Sequence, residues 1–121
     1  MQELIERIND LGCVCVPAHP YRQMGVASLL DGIFDLEGIA GVETHNGSNS
    51  ETDNTLALAA ASHLKLPTLG GSDCHKAEAV GRCATEFLQP VADMAGLVAA
   101  IRAGACRGAY RPGLRFGNEP L

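Results

Sequence analysis

Asp73 and His75 are the two residues whose types and spacing point most directly to chemistry. They lie in the stretch LGGSDCHKAEAVG, residues 69–81, in which two glycines precede the pair and a third follows it. In an extended backbone, residues two apart project to the same side, so a carboxylate oxygen and an imidazole nitrogen can reach one point. Both groups suit zinc, manganese or iron, and the pair therefore forms half of a metal site.

An isolated Asp-x-His pattern has little specificity, so its place in the fold decides its meaning. The spacing of apolar residues predicts helices over 2–11, 25–34, 50–64 and 90–104, and strands or extended segments over 13–18, 39–45, 66–71, 83–88 and 106–112. This alternation is typical of parallel strands with helices packed outside them. A closed (β/α) barrel needs roughly 200 residues or more. We therefore expect an α/β fold that is either half of such a barrel or a small open sheet.

Three of the four histidines lie at or just past the carboxyl ends of predicted strands, namely His19, His45 and His75. The carboxyl ends of parallel strands are where α/β barrels and open sheets place their ligands. Pro20 disfavours a helical backbone at His19 and keeps this residue at the mouth of its strand. The sequence therefore predicts that His19, Asp73 and His75 converge on one cation.

Two basic residues lie beside these candidate ligands. Arg22 follows His19 by three positions, and Lys76 is adjacent to His75. Either side chain could hold the phosphate group of a substrate, since arginine and lysine both bind phosphate. An ordinary solvated basic side chain is the alternative for each.

The five cysteines are expected to be free thiols. Cys13 and Cys15 would share one face of a strand and are poorly placed to bridge each other. The remaining three are scattered among apolar neighbours, and all five are expected to be small buried residues in a reducing compartment. A thiolate zinc site is the alternative, although no C-x-x-C pair is present.

Charge and hydropathy narrow the class of protein. Nucleic-acid binding is possible, but the net charge of −5 gives it no support, because a clustered basic surface would be expected for that function. No apolar run approaches the length of a membrane span, and residues 1–12 do not resemble a signal peptide, so a cytoplasmic protein is predicted. No G-x-G-x-x-G follows a predicted strand, which disfavours a Rossmann-type nucleotide binder.

Together these motifs resemble the C-terminal half of a domain of the polymerase-and-histidinol-phosphatase (PHP) superfamily. The resemblance is carried by Ala18-His19-Pro20 and Gly71-Ser72-Asp73-Cys74-His75, with Gly81 and Thr85-Glu86-Phe87 adding to it. It spans roughly residues 1–110 and leaves 111–121 as a C-terminal tail. It implies part of a distorted (β/α)7 barrel, with mostly parallel strands, outer helices and up to three divalent metals at the strand ends.

The resemblance also implies a function, namely that of a metal-dependent phosphoesterase acting on phosphate monoesters or diesters. His19 matches the histidine of the family's third motif, and Asp73 and His75 match the pair of its fourth. His45 receives no ligand role. Zinc, manganese or iron would be the cofactor, and a phosphorylated small molecule or nucleotide would be the substrate.

One family motif is missing, because no H-x-H pair precedes His19. About half of the expected ligands are therefore absent. We expect the chain to represent the C-terminal half of a phosphoesterase domain, to be inactive alone, and to form a homodimer if it assembles. A non-catalytic PHP-like structural or interaction module is the alternative.

Overall fold

The computed structural model of the chain describes residues 1–24 and 27–111. Within them, three α-helices and four short strands follow one another, together with two 3₁₀ helices. The α-helices are α1 (Gln2–Asp10), α2 (Glu51–Leu64) and α3 (Met94–Arg102), the strands are β1 (Val42–Asn46), β2 (Thr68–Gly71), β3 (Cys83–Phe87) and β4 (Cys106–Tyr110), and the 3₁₀ helices are Leu30–Asp35 and Ala77–Ala79.

The strands form two separate pairs, and only one of them is parallel. β1 pairs with β2 in parallel, whereas β3 pairs with β4 antiparallel. The prediction of an α/β fold is confirmed, but the prediction of mostly parallel strands is wrong for the second pair. α3 lies between β3 and β4 in the chain, a connection that is typical of parallel strands. β4 nevertheless runs beside β3 in the opposite direction. The described residues form two two-stranded sheets and no closed barrel.

The two pairs approach each other closely at glycines. The hydroxyl of Thr85 donates to the carbonyl oxygen of Gly70 at 2.9 Å and accepts from its N–H at 3.0 Å. The N–H of Gly108 donates to the Thr68 hydroxyl at 3.0 Å. A Cβ at Gly70 would overlap the carbonyl oxygen of Ala84, so β2 can lie against β3 only because its side chain is a hydrogen atom.

The core lies between α2 and β1. Ser50 begins α2 with a capping box, in which its side chain accepts from the N–H of Asp53 and the Asp53 carboxylate accepts from the N–H of Ser50. The predicted start of this helix is thereby confirmed. One face of α2 is buried against β1 and the 3₁₀ helix Leu30–Asp35. This buried cluster contains Ile33, Val42, Ala57, Ala60 and Ala61.

The segment 13–18 is not a strand, which corrects the prediction for it. Its carbonyl groups still bond to β1 and to the residues just before it, because Cys15 O accepts from Ala40 N at 2.9 Å and Pro17 O accepts from Glu43 N at 3.1 Å. Pro17 has no N–H, so it cannot complete a ladder of alternating bonds. The segment therefore runs beside β1 without forming a regular strand pair.

The predicted helix over 25–34 is replaced by the 3₁₀ helix Leu30–Asp35, and residues 25 and 26 lie outside the described residues. Of the predicted tail 111–121, only Arg111 is described. In the described part of the chain, no helix is long and apolar enough to cross a membrane.

Candidate metal and phosphate site

Three loops meet at the carboxyl end of the parallel pair. One contains His19 and Arg22, the second follows β1 at Asn46, and the third follows β2 and contains Asp73. Hydrogen bonds connect all three, since Arg22 bonds to Asn46 and Asp73, and Ser48 donates to the backbone oxygen of Asp73 at 2.8 Å. The edge predicted from the sequence is therefore the edge at which these polar side chains gather.

Arg22 lies at the centre of this group. Its Nε donates to Asn49 Oδ1 at 2.7 Å, and its Nη2 donates to Asn46 Oδ1 at 3.0 Å. The same Nη2 forms an ion pair with the Asp73 carboxylate. The Arg22 and Asp73 side chains are 15% and 24% exposed, so the pair is largely removed from water. The predicted role of Arg22 in holding phosphate stays a prediction.

The surroundings of Asp73 favour its ionised form. Burial works against the charge, but the hydrogen bond and charge of Arg22 outweigh it, helped by Asn46 and by the charge of His19. The pKa of Asp73 therefore lies below its ordinary value. The backbone at Asp73 is left-handed, with φ of 47°.

His19 lies close enough to Asp73 for its charge to lower the pKa of that carboxyl group. Its backbone is also left-handed, with φ of 34°, and its N–H donates to Glu43 Oε2 at 2.6 Å. Its Nδ1 is buried and has no hydrogen-bond partner within residues 1–24 and 27–111. A buried nitrogen without a partner is costly, and binding a ligand is one way to remove that cost.

Glu43 is a member of the site that the sequence analysis did not identify. One carboxylate oxygen accepts from the N–H of His19 and from Asn46 Nδ2 at 3.0 Å. The other faces Gly71, where an added Cβ would lie only 2.8 Å from it. Glu43 is half-buried in β1, whose sequence is VETHN, and it belongs to no short motif that could have revealed it.

His75 lies at the margin of this group. Its ring is exposed, and Nδ1 lies 3.1 Å from the backbone oxygen of Asp73. Within the described ranges, no three histidine, cysteine, aspartate or glutamate side chains are arranged to hold a metal ion. The ligand roles of His19, Asp73 and His75 remain predictions. The unpartnered His19 nitrogen and the nearby Asp73 carboxylate fit a divalent cation as two of its ligands.

A layer of buried amides supports the loop after β1. Asn54, in the first turn of α2 and 2% exposed, accepts from Asn46 N at 3.2 Å and from Asn49 Nδ2 at 3.1 Å. Its own Nδ2 donates to Asn46 O at 3.0 Å and to the Tyr110 hydroxyl at 3.3 Å. Asn54 thus fixes the two asparagines that accept from Arg22.

His45 is separate from this group. Its ring packs on Tyr110 with centroids 4.5 Å apart, and its Nδ1 lies 2.7 Å from the Thr44 hydroxyl. Burial lowers its pKa and so favours the neutral imidazole. These contacts account for His45 without a ligand role.

The five cysteines are free, as predicted. Cys83 and Cys106 are buried, whereas Cys13 and Cys74 are exposed. Burial and the charge of Glu43 raise the pKa of Cys83 to about 11, and burial raises that of Cys106. The prediction of small buried thiols is thus correct for these two and wrong for Cys13 and Cys74.

Residues 51–106 match the model of a family described as PHP-associated. The match covers just under half of the chain and contains Asp73 and His75, whereas His19 and Glu43 precede it. No curated protein and no solved structure matches the chain. The relation to the PHP superfamily predicted from the sequence is therefore confirmed for this segment.

Proposed function

We propose that the chain contributes to the site of a metal-dependent phosphoesterase, with His19, Asp73 and His75 as ligands of one divalent cation. The observation that carries the proposal is the buried Nδ1 of His19, which has no partner in the described structure and lies near the Asp73 carboxylate. Zinc, manganese or iron would suit an imidazole and carboxylate set. Such a cation would polarise a phosphoryl oxygen and lower the pKa of a bound water.

The surrounding side chains hold the two central groups in place. Glu43 accepts from the backbone of His19 and so fixes the loop that carries the imidazole. Arg22 holds the Asp73 carboxylate ionised, which is the form that binds a cation. The proposed substrate is a phosphorylated small molecule or nucleotide, in accordance with the PHP-associated match over residues 51–106.

We further propose that residues 1–121 alone bind one cation weakly and have negligible phosphatase activity. A bridging hydroxide needs two cations close together, and the three proposed ligands would serve only one, for which they are not yet arranged in the described residues. A second copy of the chain, the partner predicted from the sequence, would not supply a different set of ligands.

A non-catalytic PHP-like module is a second candidate, favoured by one observation. The guanidinium of Arg22 already neutralises the Asp73 carboxylate, so the protein itself supplies a positive charge at this position. In that case the polar group would stabilise the three loops and would not bind a metal.

Calorimetric titration of the metal-free chain with Mn²⁺ separates the two candidates. Manganese is the suitable probe because the free cysteines would compete for zinc. We expect one bound ion in the wild type and loss of binding in His19→Ala. The matched control is His63→Ala, which removes an exposed histidine at the end of α2.

The affinities of the wild type and of the two variants for Mn²⁺ decide between the candidates. Binding that survives His19→Ala, or is equally weakened by His63→Ala, contradicts the assigned ligand. No binding in the wild type supports the non-catalytic module. Hydrolysis of p-nitrophenyl phosphate with Mn²⁺, measured in the same variants, reports whether a bound ion supports turnover.

A further inference from the structure

A basic cleft lies next to the predicted ligands, and His75 forms one of its walls. It has a volume of about 350 Å³ and is lined by Ser48, His75, Lys76, Glu78, Ala79 and Arg82. Of these residues, only His75 and Lys76 are candidates for function from the sequence motif alone. The cleft therefore joins the predicted metal site to a surface that the proposed function does not yet use.

Arg82 is held in this cleft by its backbone and by close packing. Gly81 adopts φ of 76°, and its N–H donates to the Ser72 hydroxyl at 2.7 Å. The carbonyl of Arg82 accepts from Arg111 N at 2.9 Å. A Cβ at Gly47 would lie 3.0 Å from the Cβ of Arg82, so the arginine stem lies against the turn that follows β1.

The two cations of the cleft lack charge partners. Arg82 is half-buried and Lys76 is exposed, and within residues 1–24 and 27–111 neither side chain forms an ion pair. By contrast, Arg22 and Arg107 each pair with a carboxylate. Glu78 is the acid that lines the cleft, and it leaves a net positive charge there. An arginine that has no counterion favours an anion that its guanidinium can bind through two donors.

We infer that this cleft binds the phosphate group of the substrate, with Arg82 and Lys76 as the positive donors and the Ser48 hydroxyl beside them. This inference rests on the proposed function for its identification of the ligand as a substrate phosphate. A phosphate held here would lie beside His75 and Asp73, because Ser48 donates to the backbone oxygen of Asp73 and His75 forms a wall of the cleft. The net charge of −5 disfavours a nucleic-acid backbone as the source of the phosphate.

Titration with inorganic phosphate in the presence of EDTA tests the cleft without any metal. We expect saturable binding that weakens about tenfold or more in Arg82→Gln and in Lys76→Gln, because each substitution removes charge-assisted hydrogen bonds. Glu78→Gln is expected to tighten binding, since it removes the opposing charge. Arg107→Gln is the matched control, because Arg107 lies on β4 and pairs with Glu86.

Absence of phosphate binding in the wild type would overturn the inference, as would equal affinities of Arg82→Gln, Lys76→Gln and Arg107→Gln. Lys76→Gln alters an exposed side chain and keeps the test valid if Arg82→Gln fails to fold. Phenyl phosphate serves as the second probe. Binding of both probes supports a cleft for a phosphate ester, whereas binding of inorganic phosphate alone contradicts it. The phosphate titration contains no metal, so its result does not depend on whether the chain binds manganese. The two proposals can therefore fail separately.

Discussion

Arg22 and Asp73 form a largely buried ion pair although 51 positions separate them in the chain. The contact joins the loop that carries His19 to the loop that follows β2. Asn46 and Asn49 add acceptors from the loop that follows β1. One guanidinium therefore connects the three loops on which the candidate site is built.

Replacing Arg22 by glutamine is expected to lower the free energy of unfolding by about 1–3 kcal/mol, because a partly buried carboxylate loses its cation. Arg107→Gln is the matched control. Arg107 and Glu86 are 71% and 53% exposed, so loss of that pair is expected to cost less than about 0.5 kcal/mol. Urea unfolding of both variants measures the difference. Equal losses would show that the Arg22 pair has no special structural role.

Gly70→Ala is expected to destabilise the protein by about 2 kcal/mol or more. The new Cβ would overlap the backbone oxygen of Ala84, and a strand backbone cannot move away as a side chain can. Gly32→Ala is the control, since nothing lies within 4 Å of a Cβ at that position. Thermal unfolding should therefore separate the two variants clearly. A neutral Gly70→Ala would mean that β2 and β3 are farther apart than described.

Both tyrosines are expected to resist ionisation in the folded protein. Burial raises the pKa of Tyr21 to about 12, assisted by its hydrogen bond to Asp31, and burial raises that of Tyr110 to about 12 as well. The folded state thus favours the neutral phenols. Their contribution to stability is complete below pH 10 and is lost as the pH rises from about 10 to 12. Tyrosinate absorbance of the native protein should lag behind that of the urea-unfolded chain over this interval, and coincident curves would contradict the burial of both rings.

Four of the five thiols are expected to react in two groups, and Cys15 has intermediate exposure. Cys13 and Cys74 are exposed and should be alkylated rapidly at pH 8, whereas Cys83 and Cys106 are buried, have raised pKa values and should react slowly. Mass spectrometry of partly alkylated protein identifies the modified residues. In urea, all five cysteines should react without prior reduction. Rapid modification of Cys83 in the native protein would be inconsistent with its position in β3.

Local signals in the sequence were sufficient for most of the elements. Ser50 and Asp53 predicted the start of α2, and both halves of the capping box are present. Pro90 was less informative, because α3 begins only after Asp93, whose side chain accepts from the N–H of Gly96. The direction of β4 relative to β3 could not be predicted, since its residues alternate in the same way in either direction. Contacts between distant segments determine that direction.

The candidate site was predictable only where its residues form a short motif. Asp73 and His75 are two positions apart, and His19 precedes a proline, so their spacing is visible in the sequence. Glu43 and Arg82 belong to no such motif. Their importance arises from Gly71 and Gly47, which allow each side chain to pack against a distant backbone. Such a relation appears only when the chain is folded.

The left-handed backbone of His19 affects how the thermal stability of this chain could be raised in the laboratory. Its left-handed backbone costs about 1–3 kcal/mol in a residue with a side chain, and its buried Nδ1 has no partner in the described structure. Glycine at this position would remove both costs. Laboratory selection for thermal stability alone is therefore expected to favour His19→Gly and to discard the imidazole. Directed evolution of this chain would need a screen for ligand binding alongside the screen for heat resistance.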